Sequence, residues 1–422
     1  MTICREACRA PGHHRLEEPP ASERGAIALV SLHTSPLDQA GVGDAGGMNV
    51  YLRSVAGWLA HDGWKVDIYT RATGPQDIKQ PQRDIGLAKV HYLKAGPARP
   101  LGKADLTAVT EEFAQAMANF PPASVIHSHY WLSGLAGLTV AAVWGAPHVQ
   151  SLHTVATMKN RDLAAGDTPE NATRISAEKR LARQADAVVA VSRAERAAIV
   201  ADYGVDPAAV RVISPGVDPA VFHPGPPPDP ASLPQALRRP TGYLLMAGRI
   251  QPIKGQDLAL QALARIPRPV RPALLITGAP GQGHLEYAAM LRSLAGELGL
   301  LDDAVFFGPQ DPPRLAALMR GARATLLPSR SETFGLVAIE SAACGRPVIG
   351  SDTTGLRDSV TDGVTGRLIA SRDPQTWADG IVQTLGDERL DGAGGGPART
   401  WRQVAQALSG LYLRLARHEA AR

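Results

Sequence analysis

The 422-residue chain carries a formal net charge of +4, is 44% hydrophobic and 20% charged, and holds three cysteines. That length exceeds what one hydrophobic core organises, so two domains are expected. The composition excludes a disordered or disulfide-framed chain, the mild charge argues against nucleic acid as the main partner, and no apolar run reaches the roughly 18 residues that span a bilayer.

Residues 1–25 mix both charge signs, lack the apolar stretch of a secretory signal, and read as a disordered extension. Cys4 and Cys8 lie in it and Cys344 falls on a predicted helix, a usage that fits a reducing cytoplasm. From residue 26, short apolar runs at 26–32, 65–70, 124–127, 186–191 and 210–213 read as buried parallel strands. Helical patterns lie between them at 48–61, 105–118, 132–143, 170–184 and 193–201. The proline-dense tract PGPPPDPASLP marks a linker at 223–240. Strands recur at 242–247, 272–277, 304–307, 323–327 and 347–350. The fold class is therefore α/β, with two doubly wound, Rossmann-like domains (26–222 and 241–399) facing a cleft. The tract DGAGGGPA reads as a flexible loop. A final helix within 400–422 sets Trp401, Val404, Leu408, Leu411 and Leu415 on one face and is expected to cross back onto the first domain.

Three segments carry chemistry. Pro328 to Cys344 reads PSRSETFGLVAIESAAC, with Glu332 in a loop, Gly335 opening a helix and Glu340 on its first turns. A helix start suits phosphate, and carboxylates beside it accept hydrogen bonds from sugar or ribose hydroxyls, although a pair of this kind also serves as simple capping. Gly248 to Gly255, GRIQPIKG, follows the first strand of the second domain, where open α/β sheets bind ligands. Arg249 offers a planar fork and Lys254 a point charge to a diphosphate whose charge grows as its bond to a sugar breaks. No Asp-x-Asp motif occurs, so basic side chains, rather than a metal, would hold that diphosphate.

The third segment, Gly41 to Gly46, matches GxGxxG, but it starts about nine residues beyond its strand and places Asp44 in the would-be phosphate cradle, which disfavours a dinucleotide-dependent dehydrogenase. Asp44 and Asn49 facing polyol hydroxyls, with Gly46 and Gly47 as close-approach backbone, is one reading; a glycine turn capping the next helix is the other. His127 and His129 resemble a metal pair without further ligands and read as structural.

These residues resemble the retaining family 4 glycosyltransferases of GT-B fold. GRIQPIKG and ETFGLVAIE are general to that family, while SLHTSPLDQAGVGDAGGMNVYL, IHSHYWLSG, HTVATMKN and GDTPENATRI are similar to its inositol-phosphate-directed branch in mycothiol biosynthesis. The resemblance covers about residues 26–418. It implies transfer of N-acetylglucosamine from UDP-N-acetylglucosamine to 1D-myo-inositol 3-phosphate with retention, in a cytoplasmic homodimer without a catalytic metal.

Carried onto this chain, the resemblance makes His153, Arg249, Lys254 and Glu332 the catalytic candidates, with His153 positioning the donor sugar rather than acting as a base. His33, Gln39, Ala40, Gly47, Gln310 and Glu340 join Arg249, Lys254 and Glu332 around the donor, Glu340 at the ribose. Asp44, Ala45, Gly46, Gly47, Met48 and Asn49, with His33, would hold the inositol ring, while Lys103, Tyr130, Thr154 and Arg174 converge on its phosphate. A peripheral magnesium at the carbonyls near Met319, Arg320 and Ala322 is also implied. Gln310, Arg346 and the run TTGLRDSV depart from the family pattern on the donor side. Rival readings are a sucrose-phosphate-synthase-like or lipid-directed acceptor, a UDP-N-acetylglucosamine 2-epimerase, and a non-catalytic sugar-binding module.

Overall fold

The computed structural model describes residues 24–39, 41, 45–163, 168–281, 283–353, 355–390 and 399–420, the side chains of Lys103 and 418–420 excepted. The expectations for residues 1–23, Ala40, Asp44, the tract 391–398 and the Lys103 side chain lie outside them.

The first sheet has eight strands: β1 (Ala26–Val30), β2 (Lys65–Arg71), β3 (Gln82–Ile85), β4 (Ala88–Leu93), β5 (Val125–His129), β6 (His148–Ser151), β7 (Ala187–Ala190) and β8 (Val210–Val212). Their order is β3-β4-β2-β1-β5-β6-β7-β8, parallel except for the β3–β4 pair. Its helices are α1 (Gly47–His61), α2 (Pro75–Lys79), α3 (Lys103–Leu106), α4 (Thr110–Ala118), α5 (Trp131–Trp144), α6 (Ala156–Arg161), α7 (Ala172–Gln184) and α8 (Arg193–Tyr203). The second sheet orders β11 (Ala304–Phe306), β10 (Ala273–Thr277), β9 (Tyr243–Ala247), β12 (Ala324–Leu327), β13 (Val348–Ser351) and β14 (Gly366–Ile369), all parallel. Around it lie α9 (Gln256–Arg265), α10 (Leu285–Glu297), α11 (Pro312–Gly321), α12 (Leu336–Ala343) and α13 (Pro374–Leu385). Strands β3, β4, β6 and β14 escaped the sequence reading because β3 is half exposed and β6, HVQS, reads as polar.

The strand order reverses between β1 and β5 in one sheet and between β9 and β12 in the other. Loops leaving the carboxyl ends of strands at such switch points form the binding crevice of a doubly wound sheet. Each domain therefore turns its crevice-forming loops toward the same junction.

The proline-dense segment is not a free linker. Leu233 and Leu237 are buried against β9, β10 and Met319, and the Arg320 guanidinium donates to Pro226 O at 3.0 Å. Proline removes regular hydrogen bonding without preventing apolar packing. The chain passes between domains instead where Val217 N donates to Arg399 O at 2.8 Å and Val217 bridges Thr400.

The last helix, α14 (Trp401–Ala420), then returns to the first domain. Trp401, Val404, Leu408, Leu411 and Tyr412 enter its core beside Tyr51, Leu52 and Val55 of α1, a burial worth on the order of 10 kcal/mol in apolar transfer. The indole of Trp64 donates to Ser409 Oγ at 2.8 Å. Across the junction, Arg193 at the start of α8 bonds Asp358 through both its backbone N–H and its guanidinium.

Candidate active site

On the second domain, a short turn at Pro252–Lys254 places Lys254 Nζ 2.6 Å from Glu332 Oε1, which also accepts from Ser329 Oγ at 2.9 Å. Gly335 takes φ +89° as the N-cap of α12, a conformation that a side chain would strain. Glu340 rides half-buried on the second turn of that helix, and its carboxylate meets no hydrogen-bond donor among the described residues. Burial pushes its pKa up to about 7. An ionised Glu340 is therefore costly until a ligand supplies donors. Gln310 donates its side-chain amide to Phe307 O, Gly308 O and Pro309 O, so it staples its own loop and turns its donor away from any nucleotide.

On the first domain, the loop from β1 to α1 is pinned by Asn49. Its Nδ2 donates to Thr34 Oγ1 at 2.8 Å and Ser35 O at 2.6 Å, while Oδ1 accepts from Gly46 N–H at 2.9 Å. Asn49 is 1% exposed. This corrects the polyol-facing expectation: the side chain caps α1 from inside, because an unpaired amide N–H is what a helix start must satisfy. Ala45 is buried as well, and Gln39, Gly46, Gly47 and Met48 remain at the junction.

Tyr130 (φ 75°) follows β5 and His153 (φ 61°) lies just beyond β6; they are the only non-glycine residues with positive φ among those described. Left-handed backbone at two large residues side by side is strain that the surrounding packing holds, and such strain clusters at functional sites. Nδ1 of His129 lies 2.8 Å from Nε2 of His153. His127 bonds Tyr412 Oη at 2.6 Å and Ser151 Oγ at 2.9 Å, so the His127/His129 pair is structural. Burial drives His127 and His129 well below the ordinary histidine range and His153 down to about 3. A ring that stays neutral at every physiological pH is suited to orienting a ligand, not to accepting a proton.

Arg174, on α7, sits at the centre of a buried ion-pair network in the first domain. Asn171 caps α7 by accepting from Arg174 N–H, and the guanidinium runs inward, 4% exposed. It bonds Glu178 Oε1 at 2.6 Å, Glu170 Oε1 at 2.9 Å, and both Thr154 O and Thr154 Oγ1. Burial alone would weaken its basicity, but Glu178, Tyr130 and Glu170 more than reverse this. Glu170 also holds Lys159, and these cations outweigh its burial to lower its pKa. The sequence reading does not single out the carboxylates, yet Arg174 and Glu178 stand four apart on one face of α7, the spacing of side-chain ion pairs, and Glu170 lies four residues before Arg174, just ahead of the helix cap.

One line of contacts joins the two halves. Arg174 lies over the Tyr130 ring at 4.9 Å, and Tyr130 packs on His33 at 4.5 Å between centroids. The adjacent Thr34 leads through Asn49 to Gly46, where a Cβ would lie 3.8 Å from Arg249 Nε of the second domain. At Gly47 a Cβ would approach Leu336 Cδ1 of α12 to 3.1 Å. Gly47 in particular lets the two domains meet closely, since a Cβ there would press on Leu336.

The chain matches the description "Glycosyl transferase 4-like domain" over residues 46–216 and "Glycosyl transferases group 1" over 234–396. It is 41% identical over 415 residues to the D-inositol 3-phosphate glycosyltransferase of Stackebrandtia nassauensis, covering 93% of each chain. This chain belongs to the family 4 glycosyltransferases. A protein of the same name from Mycobacteroides abscessus is 41% identical over 367 residues, 85% of this glycosyltransferase and 81% of that relative. Among solved structures, the sucrose-phosphate synthase of Thermosynechococcus elongatus superposes with a TM-score of 0.83 at 30% identity, covering 93% of this glycosyltransferase and 99% of that chain. The architecture is GT-B, and the protein is a glycosyltransferase.

At the C-terminal end of α11, Met319 O accepts the Ala322 N–H. Carbonyls at the negative end of a helix suit a cation.

Proposed function

We propose that this enzyme transfers N-acetylglucosamine from UDP-N-acetylglucosamine to 1D-myo-inositol 3-phosphate, with retention at the anomeric carbon and release of UDP, as a step of mycothiol biosynthesis. The supporting observation is the line of neighbouring residues from Arg174 through Tyr130 and His33 to Gly46, where a Cβ would lie 3.8 Å from Arg249 Nε. On this reading Arg174 serves as an anion anchor and Arg249 as a diphosphate grip on either side of the domain junction. The names of the relatives support the same acceptor class.

In this reading the bond from the anomeric carbon to the β-phosphate oxygen breaks, and its electron pair goes to the phosphate. Arg249 and Lys254 stabilise the charge that develops there, more strongly in the transition state than in the bound donor. Lys254 carries three N–H donors, so it can keep Glu332 and still meet a phosphate oxygen. An inositol hydroxyl attacks from the face the UDP leaves, and its proton passes to the departing phosphate. Glu340 receives the ribose hydroxyls. The acceptor phosphate lies among Arg174, Thr154, Tyr130 and Lys103, where each charged hydrogen bond contributes about 1.5–3 kcal/mol.

The test is an acceptor panel. UDP release and product mass are measured with UDP-N-acetylglucosamine and UDP-glucose against inositol 3-phosphate, free inositol and hexose phosphates. Turnover confined to inositol 3-phosphate supports the reading, and equal turnover with a hexose phosphate sinks it in favour of a sucrose-phosphate-synthase-like acceptor, the reading the structural neighbour favours. Donor incubated alone should not change at C2; an epimerised sugar would make the protein an isomerase. The reading also takes the enzyme as cytoplasmic and homodimeric, which cell fractionation and light scattering test.

A further inference from the structure

Behind the crevice, a group of packed rings lies outside the reaction steps just described. His129, at the end of β5, is fully buried, and its Nε2 has no hydrogen-bond partner among the described residues. Its Nδ1 makes the 2.8 Å contact to Nε2 of His153. Tyr51 of α1 holds both rings, edge-on to His153 at 5.1 Å and tilted to His129 at 5.7 Å, and Trp401 of α14 backs Tyr51 at 5.6 Å.

A hydrogen bond between two neutral imidazoles contains one proton, so one ring donates and the other accepts through a bare nitrogen. Were Nδ1 of His129 the acceptor, that ring's proton would sit on Nε2, an N–H sealed from water and without a partner. The converse leaves Nε2 a bare lone pair. A buried donor left unpaired is the rarer and costlier defect. His129 therefore donates from Nδ1 to Nε2 of His153, and the proton of His153 must reside on its own Nδ1. That nitrogen is not sealed and meets no protein partner among the described residues.

We propose that His129 is a positioning residue: it fixes His153 as the Nδ1–H tautomer, so that a substrate in the crevice meets a hydrogen-bond donor at that point and no base. The inference rests on the reading above that His153 faces the donor sugar, whose oxygens are the acceptors such a donor serves. The two side chains act in series. His129 touches no substrate, and its effect is carried by the ring in front of it.

The test is a two-bond nitrogen–proton correlation spectrum of the enzyme labelled with 15N-histidine, with a His153→Gln variant to assign the signal. Wild type is expected to show His153 protonated on Nδ1 and bare on Nε2. His129→Asn, whose amide offers an N–H at the same place, keeps that pattern and near-normal turnover. His129→Leu gives a mixture of tautomers and a roughly tenfold lower kcat, the size expected for one lost hydrogen bond, with the KM for inositol phosphate unchanged. A wild-type His153 protonated on Nε2, or an unaltered tautomer in His129→Leu, overturns the proposal. The wild-type spectrum needs no turnover. If the tautomer is as stated and no sugar moves, the functional reading alone falls.

Discussion

Glu340 is a carboxylate set in a half-buried pocket without a donor among the described residues, and replacing it by glutamine isolates what its charge costs. Its pKa is pushed from the ordinary 4.5 up to about 7 by burial, which corresponds to at most about 3 kcal/mol for holding it ionised. Below pH 4.5 the carboxyl is protonated in both folded and unfolded chains and nothing is lost. As pH rises toward 7 the unfolded chain ionises first, so folded stability declines, and above 7 the full cost stands. Glu340→Gln removes that decline. Calorimetric scans at pH 4.5, 6 and 8 should show equal melting of wild type and variant at the lowest pH. At pH 8 the variant should melt higher by roughly 3 °C, at about 1 °C per kcal/mol for a chain of 422 residues. UDP works the other way, because ribose hydroxyls donate to the ionised form. Wild type should release a proton on binding UDP near pH 6.5 and bind more tightly as pH rises to 8, while the variant binds weakly at every pH. A melting difference independent of pH, or UDP affinity equal in both proteins, would refute the reasoning.

Arg174→Ala leaves Glu178, 0% exposed, with only the Ala156 N–H and the Tyr203 hydroxyl, so breaking this buried pair should lower stability by about 3–5 kcal/mol in urea titrations and is a poor probe of binding. Thr154→Val, at an exposed residue, should raise the KM for inositol 3-phosphate about three- to tenfold while UDP affinity holds; equal loss of both counts against the acceptor assignment. Glu170→Gln frees Lys159 and Arg174 from a competing carboxylate and should tighten inositol phosphate binding in calorimetry, whereas weaker binding would mean Glu170 is needed to place them. Gly355→Ala puts a Cβ 1.9 Å from Glu332 O, so the Glu332 loop must shift; donor affinity should fall at least tenfold, and an unchanged donor affinity would show that this loop does not grip the sugar.

The parts of the site that lie on short, contiguous motifs were readable from sequence: Gly335 opening α12, Glu332 ahead of it, Glu340 upon it, and the basic turn after β9. What escaped depends on contacts distant in sequence. β6 looked like loop because His148 and Gln150 are polar, yet His148 meets Ser128 Oγ and Gln150 meets the carbonyls of Ser128, Tyr130 and Ser151, and satisfied polar groups can line a buried strand. Asn49 reads as a ligand contact in sequence because its amide suits hydroxyls equally well outside and inside the protein. The proline-dense tract reads as a linker because proline density reports lost hydrogen bonding, not lost packing. The left-handed backbone at Tyr130 and His153 carries no sequence signal, since neither is glycine or asparagine and only the assembled sheet holds them there.

The last helix has a consequence for biosynthesis. Tyr412 anchors His127, and Trp401 backs the tyrosine that grips His153, so the first domain obtains these supports only from α14, which is translated after the whole second domain. A nascent polypeptide leaving the ribosome must hold an open greasy furrow along α1 throughout translation of the second domain. Until α14 has been made, that furrow is a natural berth for a chaperone, and a message truncated before codon 400 would yield a protein with its second domain whole and its histidine cluster without these supports.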